Sequence, residues 1–149
     1  HKIINVDKIV SEVECQNGIV IVTGGEPLMW DMSFLTDCLK KNNFKTHLET
    51  SGSHKISGDW DWICLSPKKF QKPLEEIKPL INELKIIVKN KHDFKWAELQ
   101  REGVSNLCKL YLQPEWNNKE KMIPLIISYV MENPEWNISL QTHKYLQIP

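Results

Sequence analysis

No stretch of this sequence is long and apolar enough to cross a bilayer as a helix. The longest apolar runs, such as Gly18-Ile19-Val20-Ile21-Val22, are strand-sized, whereas a membrane helix needs ~20 such residues. An excess of either charge is also lacking: Lys+Arg and Asp+Glu both number 19, so no net field draws in a phosphate polymer or an anionic surface. Nucleic acid and membrane are not expected partners. The four cysteines, Cys15, Cys38, Cys64 and Cys108, include no pair at the short spacing of a metal site or redox loop. They read as reduced and mostly buried thiols. The opening residues, His1-Lys2-Ile3-Ile4-Asn5, show neither an initiator Met nor a charged-then-apolar leader. A cytoplasmic protein with a truncated N-terminus is the expectation. Internal repeats, low-complexity tracts and linkers are missing as well, which leaves residues 1–149 as one α/β domain.

What is present is a composition of 41% hydrophobic and 26% charged residues, enough to build a core. Apolar strand-like runs alternate with helical patterns, the signature of parallel β-α-β units. A short helix is predicted over Val6 to Val13, with Val6, Ile9, Val10 and Val13 on one face. A fully buried strand follows at Ile19 to Val22, then a helix from Met32 to Lys41 with Phe34, Leu35, Cys38 and Leu39 inward. Further strands are predicted at Lys45 to Glu49, Trp62 to Leu65, Leu84 to Val88, Lys109 to Leu112 and Ile138 to Leu140. Helices fit Phe94 to Arg101 and Lys119 to Met131, while Pro73 and Pro79 confine Leu74 to Lys78 to a turn of helix. The fold class is therefore α/β, with about six parallel strands.

Polar, Gly- and Pro-bearing clusters fall where the strands end, which is where parallel sheets and barrels place their ligand sites. Thr23-Gly24-Gly25-Glu26-Pro27-Leu28 is the most specific of them. Two glycines allow a sharp bend and bring bare backbone against a ligand. Glu26 adds a carboxylate, and carbonyls beside a carboxylate suit an ammonium group; a phosphate cradle would call for the Lys of a P-loop. An ordinary strand-to-helix turn is the competing reading of Gly-Gly. Lys68 beside Lys69 reads equally as a surface pair, and Ser51 and Ser66 as turn caps. His143 and the other histidines receive no chemical role, and the six tryptophans read as packing residues.

The strand plus Thr23-Gly24-Gly25-Glu26-Pro27-Leu28 resembles the signature of the radical S-adenosylmethionine superfamily. Glu49-Thr50-Ser51-Gly52, Ser66-Pro67-Lys68, Glu83-Leu84-Lys85, Leu112-Gln113-Pro114-Glu115 and Gln141-Thr142-His143-Lys144 follow in the order seen in the 7-carboxy-7-deazaguanine synthase family. The resemblance implies an incomplete parallel β/α barrel. It places Gly24, Gly25 and Glu26 on the amino acid end of S-adenosylmethionine, and Ser51, Ser66, Pro67 and Lys68 along the rest of that cofactor. Gln113 and Pro114 are implied on its adenine side, and Thr23 and Pro149 toward the substrate. It further implies a four-iron four-sulfur cluster and Mg2+, whose ligands this chain does not carry, so no catalytic residue is assigned within it. The implied reaction is conversion of 6-carboxy-5,6,7,8-tetrahydropterin to 7-carboxy-7-deazaguanine with loss of ammonia. A flavodoxin-like electron donor and a homodimer belong to the same implication. Two other readings stay open: a radical enzyme that activates a glycyl-radical partner, and a cluster-free binding protein with the same pocket.

Overall fold

Parallel strands cannot be joined by a tight hairpin, so each crossover needs a helix or a long loop, and the chain supplies both. The computed structural model describes residues 5–13 and 18–148, divided into two units between Ile77 and Lys78. Cys15 and Pro149, both named above, lie outside the described residues. No helix among the described residues is long and apolar enough to cross a membrane.

The first unit holds α1 (Val6–Glu12), β1 (Ile19–Val22), α2 (Ser33–Lys41), β2 (Lys45–Thr50) and β3 (Trp62–Leu65). Asn5 caps α1 by accepting from the Asp7 amide at 3.0 Å, the usual service of Asn at a helix start. Lys40 and Lys41 sit in the last turn of α2, where cations complement the helix dipole. The helix then closes with Asn43 at φ 62°, Phe44 N donating to Leu39 O and Asn43 N to Lys40 O. That bond pair is a Schellman stop, tolerable for Asn because its short polar side chain visits the left-handed region.

β1 pairs with β2 and β2 with β3, all parallel, with Val22 opposite Leu48 and Thr50 opposite Leu65. One face of these strands carries Leu48, Ile63 and Leu65, buried with Leu39 of α2. By alternation the other face carries Lys45, His47, Glu49, Trp62 and Cys64, with the His47 and Trp62 rings stacked 6.1 Å apart. Two expectations fail here. β1 is not fully buried: Ile19 and Ile21 are 56% and 60% exposed, because no described element packs over their face of this edge strand. Phe34 does not face inward but is exposed, and Thr36 is buried with Leu39 instead. At 100° per residue Phe34 lies nearly opposite Thr36 on the helix. The Thr36 hydroxyl is accommodated by contacts to the Met32 and Ser33 carbonyls.

The second unit holds β4 (Glu83–Val88), α3 (His92–Arg101), β5 (Lys109–Pro114), α4 (Lys119–Glu132), β6 (Trp136–Ile138) and α5 (Thr142–Tyr145). β4, β5 and β6 pair in parallel, with Val88 opposite Pro114 and Leu110 opposite Trp136. Leu84, Ile86, Val88, Leu110 and Leu112 form the buried face against Ala97, Met122 and Ile126. The sixth strand begins two residues earlier than predicted, because Trp136 is its buried anchor and Leu140 already leaves the ladder. A 3-10 helix over Glu75–Leu80 runs through Pro79, where a turn ending at Lys78 is predicted. The α/β class with parallel strands is as expected from the alternation of patterns.

Candidate functional site

Because β1 and β2 run parallel and in register, the residues leaving their carboxyl ends emerge side by side. Glu26 follows β1, Thr50 ends β2 and Ser51 comes directly after it. One Glu26 oxygen accepts from Thr50 Oγ1 at 2.6 Å and Leu28 N at 3.2 Å. The other accepts from Ser51 N at 2.8 Å and also from Ser51 Oγ. Pro27 starts a short 3-10 turn capped by this same carboxylate, a position where its missing N–H costs nothing. Burial pushes the Glu26 carboxyl up, but the bonds from Ser51, Thr50 and Leu28 outweigh it and hold the group below the ordinary carboxylate value. The acid therefore stays ionised and clamps two loop ends together.

That clamp fixes the bend at Gly24 and Gly25, both exposed. Gly24 has φ 133°, a conformation that L side chains rarely adopt. Gly25 has no such constraint, and a Cβ at either position would meet nothing within 4 Å. Packing inside the chain therefore gives no reason for glycine at position 25. Gly52 is the contrast: a Cβ there would lie 2.5 Å from Leu65 Cδ1 and 2.9 Å from Pro73 Cβ, so its bareness serves the core. The empty space over Gly24 and Gly25, beside an ionised carboxylate, fits an ammonium group that approaches bare backbone.

The remaining residues of this unit stand at the same strand ends. Thr23 is exposed just past β1. Ser66, 2% exposed, continues β3 with its amide on Thr50 O at 2.7 Å. Pro67 is buried and Lys68 exposed, the latter opening a turn in which Gln71 N donates to Lys68 O. Ser51 Oγ also lies 3.0 Å from Ser53 Oγ, which in turn lies 2.9 Å from His54 Nδ1. Sequence reasoning missed Ser53 and His54, and gave Thr50 no part. The only signal was their place within three residues of the Glu49-Thr50-Ser51-Gly52 string.

In the second unit Gln113 and Pro114, both buried, close β5, and Gln113 Oε1 accepts from Ser139 Oγ at 3.3 Å. Trp116 follows, with Tyr145 of α5 edge-on at 5.1 Å and the ammonium groups of Lys119 and Lys144 at 4.3 and 5.0 Å from its ring. The segment carrying His143 is thus pinned near the carboxyl end of β5 by an aromatic-cation contact. Separately, a cavity of about 510 Å³ lined by Arg101, Ser105, Asn106, Cys108 and Glu135 holds none of the predicted site residues. Its arginine is already paired with Glu98 and Glu135.

Metal chemistry finds no donor set here. Among the described residues no three His, Cys, Asp or Glu side chains converge. Cys38, Cys64 and Cys108 form no disulfide, with only Cys64 buried and the other two half-buried, a correction to the expectation of mostly buried thiols. Burial pushes the Cys108 thiol up to about 11, which disfavours the thiolate a metal requires. The described residues therefore do not fit an iron-sulfur cluster.

No protein-family model matches the chain. It is 52% identical over 143 residues to the 7-carboxy-7-deazaguanine synthase of Flavobacterium psychrophilum, covering 96% of this chain and 68% of the relative. It is 45% identical to the enzyme of that name from Synechocystis, over 91% of this chain and 65% of the relative. The crystal structure of QueE from Escherichia coli matches with a TM-score of 0.80 at 26% identity, over 91% of this chain and 62% of that one. The chain thus spans about two thirds of the length of these relatives.

Proposed function

We infer what this protein does from what it is related to: the chain belongs to the 7-carboxy-7-deazaguanine synthase family. It carries the S-adenosylmethionine-binding and part of the substrate-binding surface of an enzyme that converts 6-carboxy-5,6,7,8-tetrahydropterin to 7-carboxy-7-deazaguanine with loss of ammonia. The observation that supports this most directly is the pair of exposed glycines whose Cβ positions face open space beside ionised Glu26. In the intact enzyme of this family, S-adenosylmethionine, an iron-sulfur cluster and Mg2+ would supply the radical chemistry; none of the described residues forms a cluster site.

The chain's own part is binding, orientation and exclusion of water. Gly24 and Gly25 present backbone carbonyls to the methionine ammonium. Glu26 sits behind them, its oxygens already filled by four protein donors, so its share is negative field and the shape of the bend. Ser51, Ser66, Pro67 and Lys68 line the rest of the cofactor, where an ammonium and hydroxyls suit carboxylate and ribose oxygens. On the family relation alone, Gln113 and Pro114 are assigned to the adenine, and Thr23 and Pro149 to the pterin. A homodimer, a flavodoxin-like electron donor and a cytoplasmic location rest on the family relation alone.

Gly25→Ala tests the site. The variant should unfold within about 0.5 kcal/mol of wild type, since Gly→Ala at a compatible position is neutral or stabilising. Its affinity for S-adenosylmethionine, read by calorimetry on the protein expressed from its complete gene, should fall at least about tenfold, the cost of a methyl group forced between partners. Unchanged affinity would remove the diglycine bend from the binding site.

A further inference from the structure

The hydroxyl-imidazole chain beside Glu26 has a direction. Ionised Glu26 can only accept, so Ser51 Oγ spends its single proton on it. Ser51 Oγ must then accept across the 3.0 Å contact with Ser53. Ser53 in turn has no proton left for His54, so Nδ1 of His54 must donate across 2.9 Å. Thr50 repeats the polarity on the other side, donating to Glu26 and accepting from the Gly52 amide at 3.0 Å. Each line of donors in this cluster ends on one carboxylate.

We propose that His54, held as its Nδ1–H tautomer, is a positioning residue that orients Ser51 through Ser53 and so sets the geometry of Glu26 and the diglycine bend for S-adenosylmethionine. The proposal rests on the reading of the site given above. Three physical points carry it. His54 and Ser53 are both half-buried, so water competes less for these bonds than at a free surface. Ser51 Oγ, with one proton given and one lone pair filled, keeps a single lone pair in a defined direction, which a freely rotating hydroxyl would lack. Finally, the imidazole N–H is fixed in the ring plane, whereas a hydroxyl proton rotates, so His54 anchors the far end of the order that the carboxylate starts.

The test separates position from bulk. Asn places its Nδ2 donor where His carries Nδ1, whereas Gln reaches to the place of Nε2. In the protein expressed from its complete gene, His54→Ala and His54→Gln should weaken S-adenosylmethionine binding by on the order of tenfold, the factor expected when one positioned hydrogen bond is lost. His54→Asn should restore affinity to within about twofold of wild type. Nitrogen-15 NMR of the wild-type imidazole should show a protonated Nδ1. Equal affinities for the Asn and Gln variants, an unaltered affinity in the Ala variant, or a protonated Nε2 with bare Nδ1 would each overturn the proposal. If the wild-type protein binds no S-adenosylmethionine, the site reading fails together with the ligand half of this inference. The imidazole tautomer then decides the hydrogen-bond order by itself.

Discussion

Replacing Glu26 by Gln keeps its shape and removes half of its accepting capacity, and the structure says where the loss falls. Gln has one oxygen and one amide nitrogen, and the nitrogen must face one pair of donors. Turned toward Ser51, it would confront the backbone amide at 2.8 Å, which cannot reverse its role. Turned the other way, it faces Thr50 and the Leu28 amide; the hydroxyl can rotate, but the Leu28 bond that caps the 3-10 turn is lost. One charge-assisted bond gone and the others weakened amounts to about 2 kcal/mol at this half-buried site. For a chain of this size that is a fall in Tm of about 4–8 °C, measurable by circular dichroism at pH 7. The pH dependence has a definite sign. Glu26 titrates lower in the folded protein than its ordinary 4.5, so its stabilisation is complete above that value and disappears as pH falls through the folded one. The gap between wild type and Glu26→Gln should therefore narrow between pH 5 and pH 3. A gap below about 0.5 kcal/mol at pH 7, or one equal at pH 7 and pH 3, would refute the clamp.

Gly52→Ala, in contrast to Gly25→Ala, should cost about 2–4 kcal/mol in urea unfolding. It combines a φ of 76° with contacts at 2.5 and 2.9 Å to Leu65 and Pro73, and a stable variant would mean that the loop yields. Glu98 accepts from Trp136 Nε1 at 2.8 Å and Tyr129 Oη at 2.5 Å, with Trp136 only 1% exposed. Glu98→Ala strands both donors and should cost about 2–4 kcal/mol, whereas Glu98→Gln, which keeps one acceptor, should cost about half of that or less. Equal losses in chemical denaturation would show that the carboxylate's charge matters there and its acceptor atom does not.

The sheet was legible in the sequence because runs such as Trp62-Ile63-Cys64-Leu65 and Lys109-Leu110-Tyr111-Leu112 keep the period of a strand and are punctuated by Gly, Pro and Asn. Errors arose where a residue's chemistry and its place disagree. Phe34 reads inward for its apolar ring, although the helical period sets it nearly opposite Thr36. Thr36 was passed over although its hydroxyl is satisfied by its own helix. At the site, the glycines and Glu26 stand out locally, but Thr50 and Ser51, which bond Glu26, lie 24 and 25 residues away. They are brought there by a strand register that no short window contains. His54 was invisible for a related reason: its meaning lies in the order of protons along a chain of bonds, which exists only once the loops have met.

The first strand has a consequence for anyone handling these residues by themselves. Among the described residues, Ile19-Val20-Ile21-Val22 has a neighbouring strand on one side only, and it carries two outward isoleucines. It has no lysine, proline or bulge of the sort with which sheet borders are normally blunted. Such an edge is adhesive toward any extended peptide of matching twist, including the same edge on another molecule, so the solubility of this stretch depends on what is laid alongside Ile19 to Val22.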